Sequence, residues 1–97
     1  MANFTTRVEL HGAKTEEAYN LLHVEMAKEG FKRELSYESG KVYELPPAEY
    51  TNNGSFTAQE VVDKATVAAG KAWTGKFSVL ETKADGNRAQ YNLKRVR

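Results

Sequence analysis

The stretch Phe4-Thr5-Thr6-Arg7-Val8-Glu9-Leu10-His11 decides the fold. Phe4, Thr6, Val8 and Leu10 fall on one side of an extended chain, and Thr5, Arg7, Glu9 and His11 on the other. Alternation at period two, in a segment rich in β-branched residues, predicts a strand with one buried face and one wet face. Gly12 ends the strand.

Outward from that strand, Thr15 is a candidate N-cap with Glu16 and Glu17 in the first turn, where the helix dipole favours acid. The helix runs to about Glu29, and Gly30 stands where a terminating glycine is expected. Ala18, Tyr19, Leu22 and Met26 share one face, with His23 at its border and Leu21 and Val24 off it. Phe31, Leu35 and Tyr37 alternate with Lys32, Glu34, Ser36 and Glu38, a second strand. The turn Glu38-Ser39-Gly40-Lys41 then returns the chain as a third strand, Val42-Tyr43-Glu44-Leu45, so these two form a hairpin. Pro46-Pro47 stops regular pairing, and Tyr50-Thr51-Asn52-Asn53-Gly54-Ser55 reads as a loop.

Thr57-Ala58-Gln59-Glu60 is a capping box, with Phe56 and Val61 as its hydrophobic staple. The helix it opens places Val61, Val62, Ala65, Ala68, Ala69 and Ala72 on one face and ends at Thr74-Gly75. Phe77 to Thr82 is a fourth strand, and residues 88–94 alternate as a fifth. The expected architecture is a single α+β domain over residues 1–97. It is ferredoxin-like, β-α-β-β-α-β, an antiparallel sheet with both helices on one face plus a C-terminal fifth strand. The open edge of such a sheet invites pairing, so a homodimer is expected.

The chain has 97 residues, no cysteine and a net charge of +1. Without cysteine there is no disulfide, thiol nucleophile or Cys-based zinc site. No signal peptide and no membrane-length apolar run is legible, so a cytoplasmic location is expected, without membrane contact. Charge is distributed unevenly. Residues 1–63 hold 6 Lys/Arg and 11 Asp/Glu, and residues 64–97 hold 8 and 2. The basic second part suits nucleic acid, the acidic part of a second copy, or plain solvation.

His11 and His23 are the only histidines, and their spacing matches no zinc signature. The glycines form neither a P-loop nor a dinucleotide fingerprint, so no small-molecule cofactor and no metal is expected. A metal-independent ribonuclease needs a base for the 2′-hydroxyl, an acid for the leaving oxygen and cations for the charged phosphorane. Arg7, Glu9 and His11 offer a cation, a carboxylate and an imidazole on one strand face, about 7 Å apart per step. His23 follows that strand in the chain and could approach its end. Lys76, Arg88, Lys94 and Arg95 are candidates for holding phosphates of single-stranded RNA. Tyr19, Tyr37, Tyr43, Tyr50 and Tyr91 suit base stacking, although most also fit core or rim positions.

Residues 3–12 and 19–31, the run Tyr43-Glu44-Leu45-Pro46-Pro47-Ala48-Glu49-Tyr50, and Phe77-Ser78-Val79-Leu80 resemble the GhoS-type endoribonuclease antitoxin family of small bacterial proteins. The resemblance implies a ferredoxin-like fold with a fifth strand, similar to the small nucleases of CRISPR adaptation. It also implies an antitoxin that cleaves the messenger of a membrane-lytic toxin in a type V toxin–antitoxin system. Those CRISPR nucleases hold metal with an aspartate at the end of the first strand. Glu9-Leu10-His11-Gly12 has none, and the expected chemistry is metal-independent. The alternative is a non-catalytic dimeric module that binds protein or RNA through its open sheet face or the Leu21/Val24 stripe.

Overall fold

A computed structural model describes residues 2–37, 39–84 and 93–96. The chain runs β1 (Ala2–Leu10), α1 (Glu16–Lys28), β2 (Glu34–Ser36), β3 (Val42–Glu44), β4 (Glu49–Gly54), α2 (Ala58–Ala72) and β5 (Phe77–Ala84). It is an α+β structure. β1 lies at the centre of an antiparallel sheet of order β4-β1-β5, and β2 and β3 form a separate two-stranded sheet.

The alternation of β1 sets the layers. Phe4, Thr6, Val8 and Leu10 are buried, while Arg7 and Glu9 on the other face are exposed. The buried side packs with Ala18, Leu22 and Met26 of α1 and with Val61, Ala65, Ala68 and Ala69 of α2 in one cluster. Alanines on α2 let that helix approach closely, because each carries only a methyl group. Leu21 and Val24 stay on the solvent side of α1 at 53% and 54% exposure, as their off-stripe positions predict.

Helix ends follow local chemistry. At α2, Thr57 Oγ1 accepts from the Glu60 amide at 3.1 Å and Glu60 Oε1 accepts from the Thr57 amide at 2.9 Å, the reciprocal capping box. Phe56 packs against the core, and Lys64 Nζ lies 4.1 Å from its ring centroid. α1 has Thr15 at its N-cap position, but no side-chain hydrogen bond is made there. Its other end is a Schellman closure. The Phe31 amide donates to Met26 O at 3.1 Å, the Gly30 amide donates to Ala27 O at 3.1 Å, and Gly30 takes φ +90°.

One expectation fails outright. Tyr50 to Gly54 is not a loop but most of β4, paired with β1 from Ala2↔Gly54 to Arg7↔Glu49. The Asn-Asn-Gly run carries turn chemistry, but Tyr50 is fully buried opposite Thr6, and the central strand supplies the pairing that propensity does not. The β2–β3 hairpin forms as expected, with Glu34↔Glu44 and Ser36↔Val42 in register, although regular pairing is shorter than residues 31–38. Lys32 instead bridges to Thr51. Of the expected fifth strand, residues 88–92 lie outside the described residues. The segment after them pairs within the chain. The Glu44 amide donates to Lys94 O and the Val96 amide to Val42 O, each at 2.7 Å, laying Arg95 against Tyr43 of β3.

Candidate functional site

The end of β1 is tied from both sides. The Leu10 amide donates to the Tyr19 hydroxyl of α1 at 3.1 Å, and the His11 amide donates to Lys76 O at 2.9 Å, just ahead of β5. His11 lies one residue past the strand and escapes its pleat. The even spacing expected for Arg7, Glu9 and His11 therefore does not hold: His11 Nδ1 comes to 3.9 Å from Glu9 Oε1. Its other nitrogen, Nε2, is 2.7 Å from Ser78 Oγ. Ser78 stands directly opposite Glu9 in the β1–β5 register, which places both on the same sheet face.

Beside this group is a shallow cavity of about 480 Å³, lined by His11, Gly75, Lys76, Phe77 and Ser78. A Cβ at Gly75 would stand 2.7 Å from Trp73 Nε1, so a larger residue there would have to displace the indole. Lys76, expected from the sequence to hold phosphate, thus shares a cavity with His11. Arg7 occupies the same open face further along, opposite Glu49 on β4 and Leu80 on β5. Leu80 is 65% exposed amid mostly polar neighbours.

The other expected site residues lie elsewhere. His23 does not approach the end of β1. Its Nδ1 is 2.5 Å from the hydroxyl of Tyr50, whose position opposite Thr6 puts the pair on the helix side of the sheet. Arg7 and Glu9 are on the opposite face. Burial, then the Arg33 charge, lowers the His23 pKa below its ordinary 6.5, against a smaller upward pull from Glu44. Burial of Tyr50 raises its pKa, so the hydroxyl keeps its proton beside the imidazole. The arrangement is that of a half-buried hydrogen-bonded pair.

Lys94 and Arg95 line a second cavity, about 490 Å³, with Arg33, Glu34, Glu44 and Val96. There Arg33 pairs with Glu44 at 3.4 Å and donates to Leu45 O at 3.2 Å. These cations border the β2–β3 hairpin, and none of Arg7, Glu9 and His11 lines that cavity. Arg88 and Tyr91 lie outside the described residues. Tyr37 and Tyr43 meet edge to face at 5.7 Å, and Tyr19 and Tyr50 are engaged with β1 and His23 as above.

An imidazole between a hydroxyl and a carboxylate, next to a cation and a cavity, can take up a proton and stabilise a developing negative charge. Sequence reading missed Ser78 because only the β1–β5 register brings it to Glu9 and His11. Among the described residues, no three His, Asp or Glu side chains gather as a metal-binding group, and no helix is long and apolar enough to cross a membrane. Against known proteins, no family model matches the chain, and neither a curated protein nor a solved structure matches it significantly.

Proposed function

We propose that the open face of β1 is the active surface of a metal-independent endoribonuclease acting on single-stranded RNA. The observation that carries this reading is the convergence of Glu9, His11 and Lys76 at one end of that face. His11 takes the 2′-hydroxyl proton, Glu9 steadies the imidazolium that results, and Lys76 supplies positive charge and a proton at the leaving-oxygen side. Arg7, further along the face, attracts the next phosphate. The wider role, an antitoxin that cuts a toxin messenger, rests on the sequence resemblance. A ferredoxin-like reading is supported by the order β1, α1, the Lys32 segment bridged to β4, then β4, α2 and β5, with the β2–β3 hairpin as an added arm.

The test is cleavage of varied RNAs in EDTA by wild type and His11→Ala. The expected outcome is product with 2′,3′-cyclic phosphate ends and a loss of about 100-fold or more in the variant. Cleavage that needs added divalent metal, or that survives His11→Ala, refutes the mechanism.

A second reading is favoured by the exposure of Leu80 on the open face and of Leu21 and Val24 on α1. It is a non-catalytic homodimeric module that binds RNA or protein. Clean protein that binds single-stranded RNA without cutting it, and sediments as a dimer, would select that reading. Phosphate contacts would show as a steep fall in binding with salt.

A further inference from the structure

The hydroxyl of Ser78 has no part in the RNA chemistry above, yet it lies where a nucleophile would. We propose that Ser78 is an activated nucleophile, and that this end of the sheet hydrolyses small carboxylic esters through an acyl-serine intermediate. Three observations carry this. Ser78 Oγ is 2.7 Å from His11 Nε2, within the range for a nucleophile and its base. A carboxylate, Glu9, faces the second ring nitrogen at 3.9 Å, so the order is nucleophile, base, orienting acid. Ser78 and His11 both line a cavity of about 480 Å³ that also presents Lys76.

A surface serine bonded to a histidine is common and carries no chemistry by itself. Here a third group faces the other nitrogen and a cavity adjoins the hydroxyl, so the nucleophile–base bond is made and the acid stands near the base. At 3.9 Å the Glu9 contact is longer than a hydrogen bond. Both side chains are about half exposed, so a rotation moving the carboxylate about 1 Å is free to close it on substrate binding, as apo sites commonly do. Oriented this way, the ring carries its proton on Nδ1 toward Glu9, and Ser78 Oγ donates to Nε2.

The cycle balances without a co-reactant other than water. Ser78 Oγ attacks the ester carbonyl, its proton passes to His11 Nε2, and the Oγ–carbon bond forms. The tetrahedral oxyanion collapses beside the Lys76 ammonium, the ester C–O bond breaks, and His11 gives its proton to the leaving alkoxide. Water, deprotonated by His11, then attacks the acyl-serine. The Oγ–acyl bond breaks, Ser78 recovers its proton from His11, and the carboxylic acid leaves and ionises, giving its proton to solvent.

The experiment treats the full chain with an alkyl fluorophosphonate and reads intact mass and peptide maps, with p-nitrophenyl acetate turnover alongside. The expected result is one adduct, on Ser78, with labelling slowed about 100-fold in His11→Ala. Ester turnover is lost in Ser78→Ala and acylation returns in Ser78→Cys. Far-UV circular dichroism confirms that each variant is folded. No adduct, an adduct on Lys76 or a tyrosine, or Ser78 labelling at an unchanged rate in His11→Ala overturns the proposal. RNA cleavage by the same wild-type sample separates the two chemistries. Cleavage without Ser78 labelling removes only the ester reaction, and labelling without cleavage removes only the ribonuclease.

Discussion

Adding one methyl group at two glycines should move stability in opposite directions. Gly30 closes α1 at φ +90°, and Gly70 lies within α2 at an ordinary helical φ. A Cβ built at either position meets nothing within 4 Å, so packing is removed from the comparison and only the backbone is tested. At Gly30 an alanine must adopt a left-handed conformation costing about 1–2 kcal/mol. Reduced freedom of the unfolded chain returns about 0.4–1 kcal/mol. The net loss is about 1 kcal/mol. At Gly70 the helix preference of alanine over glycine is worth about 0.5–1 kcal/mol in the other direction. For a domain of this size, 1 kcal/mol moves Tm by about 4–8 °C, so the two variants should melt roughly 6–16 °C apart. Thermal unfolding followed by circular dichroism at 222 nm, with urea midpoints as a check, measures this. If Gly30→Ala is neutral or stabilising, the Schellman closure is not what stops α1. If Gly70→Ala destabilises, α2 is not helical there.

Thr57→Ala should cost about 1 kcal/mol by removing the α2 cap. Adding Glu60→Ala should then cost less than it does alone, because the two bonds are reciprocal, and a double-mutant cycle in urea measures the difference. The lowered His23 pKa means that the unfolded chain binds that proton first. Stability is therefore full above pH 6.5 and falls as pH drops toward the folded pKa. His23→Gln should flatten that part of the profile, and an unchanged slope would remove His23 as its source. Glu81 is shifted the other way. Burial raises its pKa from 4.5 despite the hydrogen bond from Thr6, and its Oε1 is buried without a partner. Its stabilising contribution is present below pH 4.5 and is lost as pH rises through the folded pKa. Glu81→Gln should equal or exceed wild type at pH 7, with the advantage shrinking toward pH 4. A Gln variant clearly weaker at pH 7 would contradict this.

Local rules wrote most of the frame into the sequence. The alternation of β1, the capping box at Thr57, the Gly40 turn and the Gly30 closure each act within a few residues, so each is legible. β4 was not, because Asn52-Asn53-Gly54 favours a turn and becomes a strand only against β1. The candidate site divides along the same line. The exposure of Arg7 and Glu9 follows from period two. The partnership of Glu9, His11 and Ser78 depends on which residue of β5 faces which residue of β1, and no short-range pattern encodes that register. His23 sits at the border of the α1 stripe, as its spacing predicts, but which partner it meets there, Tyr50, depends on β4.

The place of β1 at the centre of the sheet has a consequence for how the chain is made. Val8 waits for Val79, roughly 70 residues downstream. At about 5–20 residues per second, translation leaves β1 without that neighbour for about 4–14 s. The β2–β3 hairpin, by contrast, can close in microseconds once it has left the ribosome. During those seconds β1 keeps one unpaired edge, the kind of edge that adds to another chain or recruits a chaperone. A chain stopped before residue 77 would be a sheet missing one side of its central strand, with a strong tendency to find that side on a neighbour.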